Sequence, residues 1–246
     1  MRADGGNMEP RAPRDLHVLP PDGYLVLPLS MSRIAHGQDP GHCYEVIQHF
    51  EKKIAAVGID FVFLYTNGLY YNNAERALDV RKRTNGQMLA HKNAIIKRVE
   101  KSKKYITQAM HPLPWDYVVL NAPRYQEFID ILTKRLAKDE EFRAHLLEGL
   151  KGRAADDANI AFLIEEIVVS HLIRQRMVEF PKTLVKQDRY RLIVYPGPPL
   201  KADIYQWKRK ILPRSDTAVQ KENPFYASHY DFDAKIIYHF DDMVLD

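Results

Sequence analysis

Short apolar runs bounded by turn-forming residues recur along the chain as Tyr24–Leu29, Asp60–Thr66, Asp116–Asn121, Arg191–Tyr195 and Lys235–Phe240. Runs of this length and setting predict strands. Between them, apolar residues return every three or four positions over roughly His42–Val57, Asn73–Arg83, Gln87–Gln108, Arg124–Ala137, Asp139–Gly149, Asp157–Phe180 and Lys201–Ile211. That is the spacing of one helix face. The segments YLVLPL, FVFLY and YVVL are apolar almost without interruption, which predicts a sheet covered on both faces. Strands alternating with helices define the α/β class: a single Rossmann-like domain, with a mainly parallel five-stranded sheet and helices on both faces. Asp139 or Asp157 suits a helix N-cap, and Pro112, Pro114 and Pro123 flank the third predicted strand.

Composition narrows the class. A chain of 246 residues with 46% hydrophobic residues can bury one full core. Residues 1–22 combine Gly, Pro and Arg with no apolar run, so they are expected to form a flexible arm ahead of a domain over 23–246. That arm contains no secretory apolar region, and no stretch is long enough to span a bilayer, so the cytoplasm is the expected compartment. The lone Cys43 can form neither an internal disulfide nor a cysteine-based zinc site. The net charge of +4 is unevenly spread: Arg76 to Lys104 holds ten Lys and Arg against Asp79 and Glu100, a local +8 that leaves the remainder at −4. A segregated basic stretch suits either a polyanionic partner or a solvated helix. Met88, Ile95, Val99 and Ile106 share one face of its helical pattern, while Lys97, Lys101 and Lys104 recur on another.

Ligands of open α/β sheets bind beyond the carboxyl ends of the strands. The residues there are Ser30, Asn67 with Gly68, Asn121, and Tyr195 with Pro196. No Gly-x-Gly-x-x-Gly or Walker loop follows any strand, which argues against a dinucleotide or P-loop enzyme. Ser30 lacks the Gly-x-Ser-x-Gly elbow of α/β-hydrolases, so as a nucleophile it would need an already activated acyl donor. Lys101-Ser102-Lys103-Lys104 superficially matches a synthetase KMSKS loop, but it lies in a helical pattern without a HIGH-type partner, so ATP-dependent amino-acid activation is excluded. The predicted helix Asp157–Phe180 carries Glu165, Glu166, His171, Gln175 and Glu179. Glu179, at its predicted carboxyl end, would oppose the helix dipole, and a partner cation such as a substrate ammonium would account for it. His229, Asp231, Asp233, His239, Asp241 and Asp242 are metal-capable, but they alternate as on a strand and no pattern directs them to one ion.

In this order the features resemble the tRNA-dependent cyclodipeptide synthases over about Tyr24 to Pro199. The strand ending at Ser30 resembles the nucleophile segment, Asp60–Thr66 the second strand, and the basic helix the one that binds the tRNA acceptor. Tyr125, preceding Asp139-Glu140-Glu141-Phe142, matches an active-site tyrosine; Glu179-Phe180-Pro181 matches a Glu-x-Pro, and Tyr195-Pro196 a Tyr-Pro pair. Four positions depart: Gln175 replaces a tyrosine expected four residues before the glutamate, Pro28 a glycine, Asp156 an asparagine, and Arg33 stands where one branch has asparagine. The resemblance implies a class I synthetase-like fold and an ATP-independent aminoacyltransferase without cofactor or metal. It would take two aminoacyl-tRNAs per product. An aminoacyl-Ser30 ester is extended to a dipeptidyl-enzyme, whose amine closes on the ester to release a diketopiperazine. It assigns catalysis to Ser30, Glu179, Tyr195 and Tyr125, substrate contacts to Pro28, Arg33, Asn67, Asn121, Asp156, Gln175 and Pro196, and tRNA contacts to Lys92, Lys97, Arg98, Lys101, Lys103 and Lys104. A non-catalytic RNA-binding protein would keep the basic helix without using Ser30. A serine hydrolase of activated esters would use Ser30 but end in attack by water.

Overall fold

The computed structural model describes residues 16, 18–31, 34, 37–54, 58–66, 78–102 and 109–245. Its strands are β1 (Gly23–Leu29), β2 (Ile59–Tyr65), β3 (Met110–Pro114), β4 (Tyr190–Tyr195), β5 (Ser228–Asp231) and β6 (Ile236–His239). They form one sheet in the order β3-β2-β1-β4-β5-β6. All neighbours are parallel except the last pair, β5 and β6. The helices are α1 (Pro40–Glu51), α2 (Leu78–Lys101), α3 (Trp115–Asn121), α4 (Tyr125–Lys138), α5 (Glu140–Glu148), α6 (Asp157–Arg174), α7 (Lys201–Lys208) and α8 (Thr217–Glu222). A single α/β domain with a mostly parallel sheet is therefore the architecture, with six strands in place of five.

Alternate strand positions enter two cores, as a two-faced sheet requires. Tyr24, Val26, Val62, Leu64 and Ile193 pack with Phe128, Phe142 and the apolar face of α6. Leu25, Leu27, Phe61, Phe63 and Val194 pack with Cys43, Val46, Ile47 and Phe50 of α1 and with Ile95 and Val99 of α2. Gly23 opens β1 because its neighbour across the ladder is Tyr190, whose ring would lie 2.1 Å from any Cβ placed there. The packed structure begins earlier than the expected arm boundary. Leu19 is 1% exposed, donates its N–H to Lys53 O at 2.9 Å, and is followed by Pro20, whose carbonyl accepts the Tyr190 hydroxyl.

Four predicted elements differ. Asp116–Asn121 is helical, and the third strand is the preceding Met110–Pro114. As an edge strand, β3 tolerates Pro112 and Pro114, which cannot donate to a second neighbour. Only one side of α3 is covered: Trp115 and Val118 are buried while Leu120 is 81% exposed, so the apolar run YVVL is not doubly covered. The basic region forms one helix from Leu78 to Lys101 through Gly86, since a single glycine costs only about 1 kcal/mol in a helix held by packing. Residues 73–77 and 103–108 of the two predicted helices lie outside the described residues.

The long apolar helix ends at Arg174, five residues before Glu179. Arg176 takes a left-handed φ of 55°. Its N–H bonds Ile173 O at 3.0 Å, and the N–H of Met177 bonds Leu172 O at 2.9 Å, which closes the last turn. At the other end Asp156 caps the helix, accepting from Asn159 N at 2.8 Å.

Candidate active site

Strand order reverses between β1 and β4, where β1 continues to β2 on one side and β4 to β5 on the other. Outside the carboxyl ends of such a pair a crevice opens, because the connections leave in opposite directions. A cavity of about 420 Å³ lies there. Pro28 and Ser30 enter it from β1, Thr66 from β2, and Ile193 and Tyr195 from β4. The opposite wall is α6, which contributes Phe162, Glu166, Ile167, Ser170 and Arg174.

The turn that carries Ser30 is held from two sides. The Ser30 N–H donates to Gln38 Oε1 at 2.7 Å, and Gln38 Nε2 donates back to Pro28 O at 3.4 Å. Thr66 N and its hydroxyl both donate to Leu29 O, at 2.9 and 3.1 Å. Gln38 is itself fixed, since its carbonyl accepts from His91 Nε2 at 2.8 Å and the other nitrogen of His91 meets the Tyr65 hydroxyl. The turn after Tyr195 is clamped in the same manner. Asp231 accepts from Gly197 N at 3.0 Å, and Phe232 N donates to Tyr195 O. Two loops at the switch point are therefore preorganised by neighbouring strands.

On α6 the adjacent glutamates diverge. Glu165 is buried, accepts from Trp115 Nε1 at 2.9 Å, and is also bonded by the Tyr125 hydroxyl. Burial, reinforced by the Glu165 charge, raises the Tyr125 phenol well above its ordinary range. Glu166 instead faces the cavity, with Ser170 and Arg174 one and two turns further along. At the cavity floor, Arg174 Nη2 donates to both oxygens of Asp203, at 2.7 and 2.5 Å. His229 closes the floor, bonded through Nε2 to Gly197 O at 2.9 Å. Burial pushes its imidazole down to about 4.

The structure brings Pro28, Ser30 and Tyr195 to this cavity. Pro196 lines only a small recess behind it, on the α1 side. The other predicted residues lie elsewhere. Tyr125 is tied to Glu165 at the base of α4 and does not line the cavity. Asn121 is exposed and bonds Tyr117 O, Asp156 is an exposed helix cap, and Gln175 is buried against Ser215 and Tyr226 O. Glu179 is exposed between Val178 and Phe180, which are anchored at the amino edge of the sheet by Arg191. With the helix ended at Arg174, no dipole of that helix opposes Glu179. Arg33, Asn67, Lys103 and Lys104 lie outside the described residues. Lys97, Arg98 and Lys101 are exposed on α2 and Lys92 is half-buried.

Glu166 and His229 are named above only as a helix-borne carboxylate and a metal-capable side chain, and Ser170, Arg174 and Asp203 are added by the structure. One signal was present: Glu166, Ser170 and Arg174 repeat every four positions along a helix whose middle is mostly apolar. Among the C-terminal metal-capable residues, Asp231 accepts three backbone N–H groups and His239 bonds Ser228. Among the described residues no cluster of three or more metal-capable side chains forms. No described helix is long and apolar enough to cross a membrane.

These features define a Rossmann-like α/β protein with a preorganised serine at its topological switch point. No family model and no curated protein matches the sequence. Solved structures do match, and the chain has the fold of cyclodipeptide synthases. One from Fluoribacter dumoffii superposes with a TM-score of 0.55 at 18% identity, covering 82% of this chain and 89% of that one. One from Staphylococcus haemolyticus gives 0.50 at 11% identity, covering 82% and 88%. A Mycobacterium tuberculosis protein, described as demonstrating that cyclodipeptide synthetases are related to type I tRNA synthetases, gives 0.50 at 15% identity, covering 88% and 95%.

Proposed function

We propose that this chain is a tRNA-dependent cyclodipeptide synthase working through an aminoacyl-Ser30 ester. The observation that carries the reading is the meeting of Ser30, Glu166 and Tyr195 on one cavity at the switch point of a sheet shared with cyclodipeptide synthases. The donor is an activated ester, so orientation and a short proton relay suffice. Ser30 Oγ attacks the aminoacyl carbonyl; the bond to the terminal ribose oxygen breaks, and that oxygen takes the serine proton. The amine of aminoacyl-Ser30 then attacks the carbonyl of a second aminoacyl-tRNA, releasing the second tRNA and leaving a dipeptidyl ester. Finally its terminal amine attacks the Ser30 ester, the second peptide bond closes the ring, and the proton lost by nitrogen returns to Ser30.

Glu166 takes the part that the resemblance assigns to Glu179. Its carboxylate faces the cavity, where it can hold the aminoacyl ammonium and accept its proton as the amine becomes nucleophilic. Counted from Glu166, the residue one turn earlier is Phe162, which lines the same cavity. Tyr195 is the proton relay near Ser30, and Tyr125 supports the wall through Glu165. Lys97, Arg98 and Lys101 present cations on the exposed side of α2, the arrangement that phosphate contacts require. Incubation of the chain with charged tRNA, followed by mass spectrometry, tests the proposal. Wild type should form a cyclodipeptide and an aminoacyl adduct on the Ser30 peptide, and Ser30→Ala should give neither. Free amino acid as the sole product would mean a hydrolase, and binding of tRNA without any turnover a non-catalytic RNA-binding protein.

A further inference from the structure

The floor of the cavity carries chemistry that the reaction does not use. From Glu166 to Arg174 the wall runs eight residues along α6, roughly 12 Å of helix. An aminoacyl group held by its ammonium at Glu166 would extend its side chain towards Arg174. That guanidinium is 1% exposed and is already neutralised by Asp203, yet its Nε–H is buried without a hydrogen-bond partner. His229 is 6% exposed, and because a carbonyl can only accept, its Nε2 carries the proton that bonds Gly197 O. Its Nδ1 is then the lone-pair nitrogen and takes part in no hydrogen bond among the described residues. Arg174 and Asp203 both act electrostatically on His229, so the three groups share one neighbourhood.

We infer that this floor is a subsite for a neutral side chain that both accepts and donates hydrogen bonds, a carboxamide above all, carried by one of the two aminoacyl groups. The inference rests on the synthase reading. A carboxamide oxygen satisfies Arg174 Nε–H, and its NH₂ satisfies His229 Nδ1, while Ile167 and Ile193 border the space for its methylenes. A carboxylate would meet the lone pair of an imidazole that burial keeps neutral. An ammonium or guanidinium would meet the Arg174 cation, and an alkyl group would leave the Nε–H unsatisfied. Arg191 also has a buried nitrogen without a partner, but it lines neither this cavity nor the small recess behind it.

The test is a competition among all twenty aminoacyl-tRNAs, read as product masses and as adduct on Ser30. Wild type should incorporate Gln or Asn on the order of a hundredfold more often than the nearly isosteric Glu or Asp. His229→Leu should erase that preference while still forming cyclodipeptides. The double variant Arg174→Met with Asp203→Leu removes both charges together, leaves neither stranded, and should shift incorporation towards apolar residues. Cyclodipeptides without a carboxamide residue, or an unchanged product spectrum in both folded variants, would overturn the subsite and leave the synthase reading standing. Neither adduct nor product from any aminoacyl-tRNA would overturn both.

Discussion

At the amino edge of the sheet Arg191 is 1% exposed, donates to both oxygens of Asp188 at 3.2 and 2.8 Å and to Val178 O, and lies 4.0 Å from the Phe180 ring centroid. Under the carboxyl edge Arg174 is equally buried, pairs with Asp203, and lies 4.7 Å from the Phe240 ring. Seen as ion pairs the two are alike. They differ in what stands beside them. Arg191 is enclosed by rings and backbone that tie the exit of α6 to β4, whereas Arg174 faces a cavity that also exposes a carboxylate, two serines and a neutral imidazole. Burial of a charge therefore does not identify a functional group; a buried polar group becomes informative when open volume lies against it.

The largest effect expected from this contrast is on stability. Arg191→Met strands Asp188 and the Val178 carbonyl, and should lower the unfolding free energy by about 3–5 kcal/mol. The paired replacement of Arg174 by Met and Asp203 by Leu should cost far less, because a buried pair exchanged for apolar groups strands no charge. Urea denaturation of both would break the comparison if the two losses were equal.

Acid should act on buried histidines, one of which, His229, closes the cavity floor. Burial, the first cause for each, pushes His171 and His229 down to about 4 from an ordinary 6.5. Between those values the unfolded chain binds the proton and the folded chain does not. Stability is therefore complete above pH 6.5 and is lost as pH falls towards 4, by up to about 3 kcal/mol for each histidine. Burial also pushes His49 down to about 4 and lowers His91, so in urea midpoints followed over that window His229→Leu should remove only about a third or less of the acid-induced loss. An unaltered pH profile in the variant would place the acid sensitivity elsewhere.

The smallest effect separates the two glutamates. Glu166→Gln should slow adduct and product formation by about 1–3 kcal/mol of lost charge-assisted contact, with tRNA affinity preserved. Glu179→Gln, at the exposed amino edge, should leave both rates unchanged. A reversed result would return the ammonium to Glu179 and require the α6 exit to rearrange.

Much of this was legible before the fold was known. β1, β2 and β4 are strands that both faces of the sheet bury, so their apolar runs are continuous and their ends were read within a residue or two. The position of Ser30 beyond β1 followed directly. Where one face is open the same signal misled: YVVL matches a buried strand in composition, but its place at the sheet edge makes it α3. The exit of α6 was misread for another reason. Arg176 adopts a left-handed conformation without being glycine, so no residue in the sequence marks the turn.

The amino-acid sequence by itself determined the class of fold, the serine at a strand exit and the basic helix, because periodicity and local chain geometry act within a few residues. Which glutamate enters the cavity was decided only by tertiary structure. Glu165 and Glu166 are neighbours with the same chemistry, separated by the roughly 100° turn per residue of a helix. Only the packing of that helix against Trp115 on one side and the β1–β4 crevice on the other buries the first and opens the second to the cavity. Likewise Arg174, Asp203 and His229 come from three separate elements, and long-range packing alone brings them to one floor.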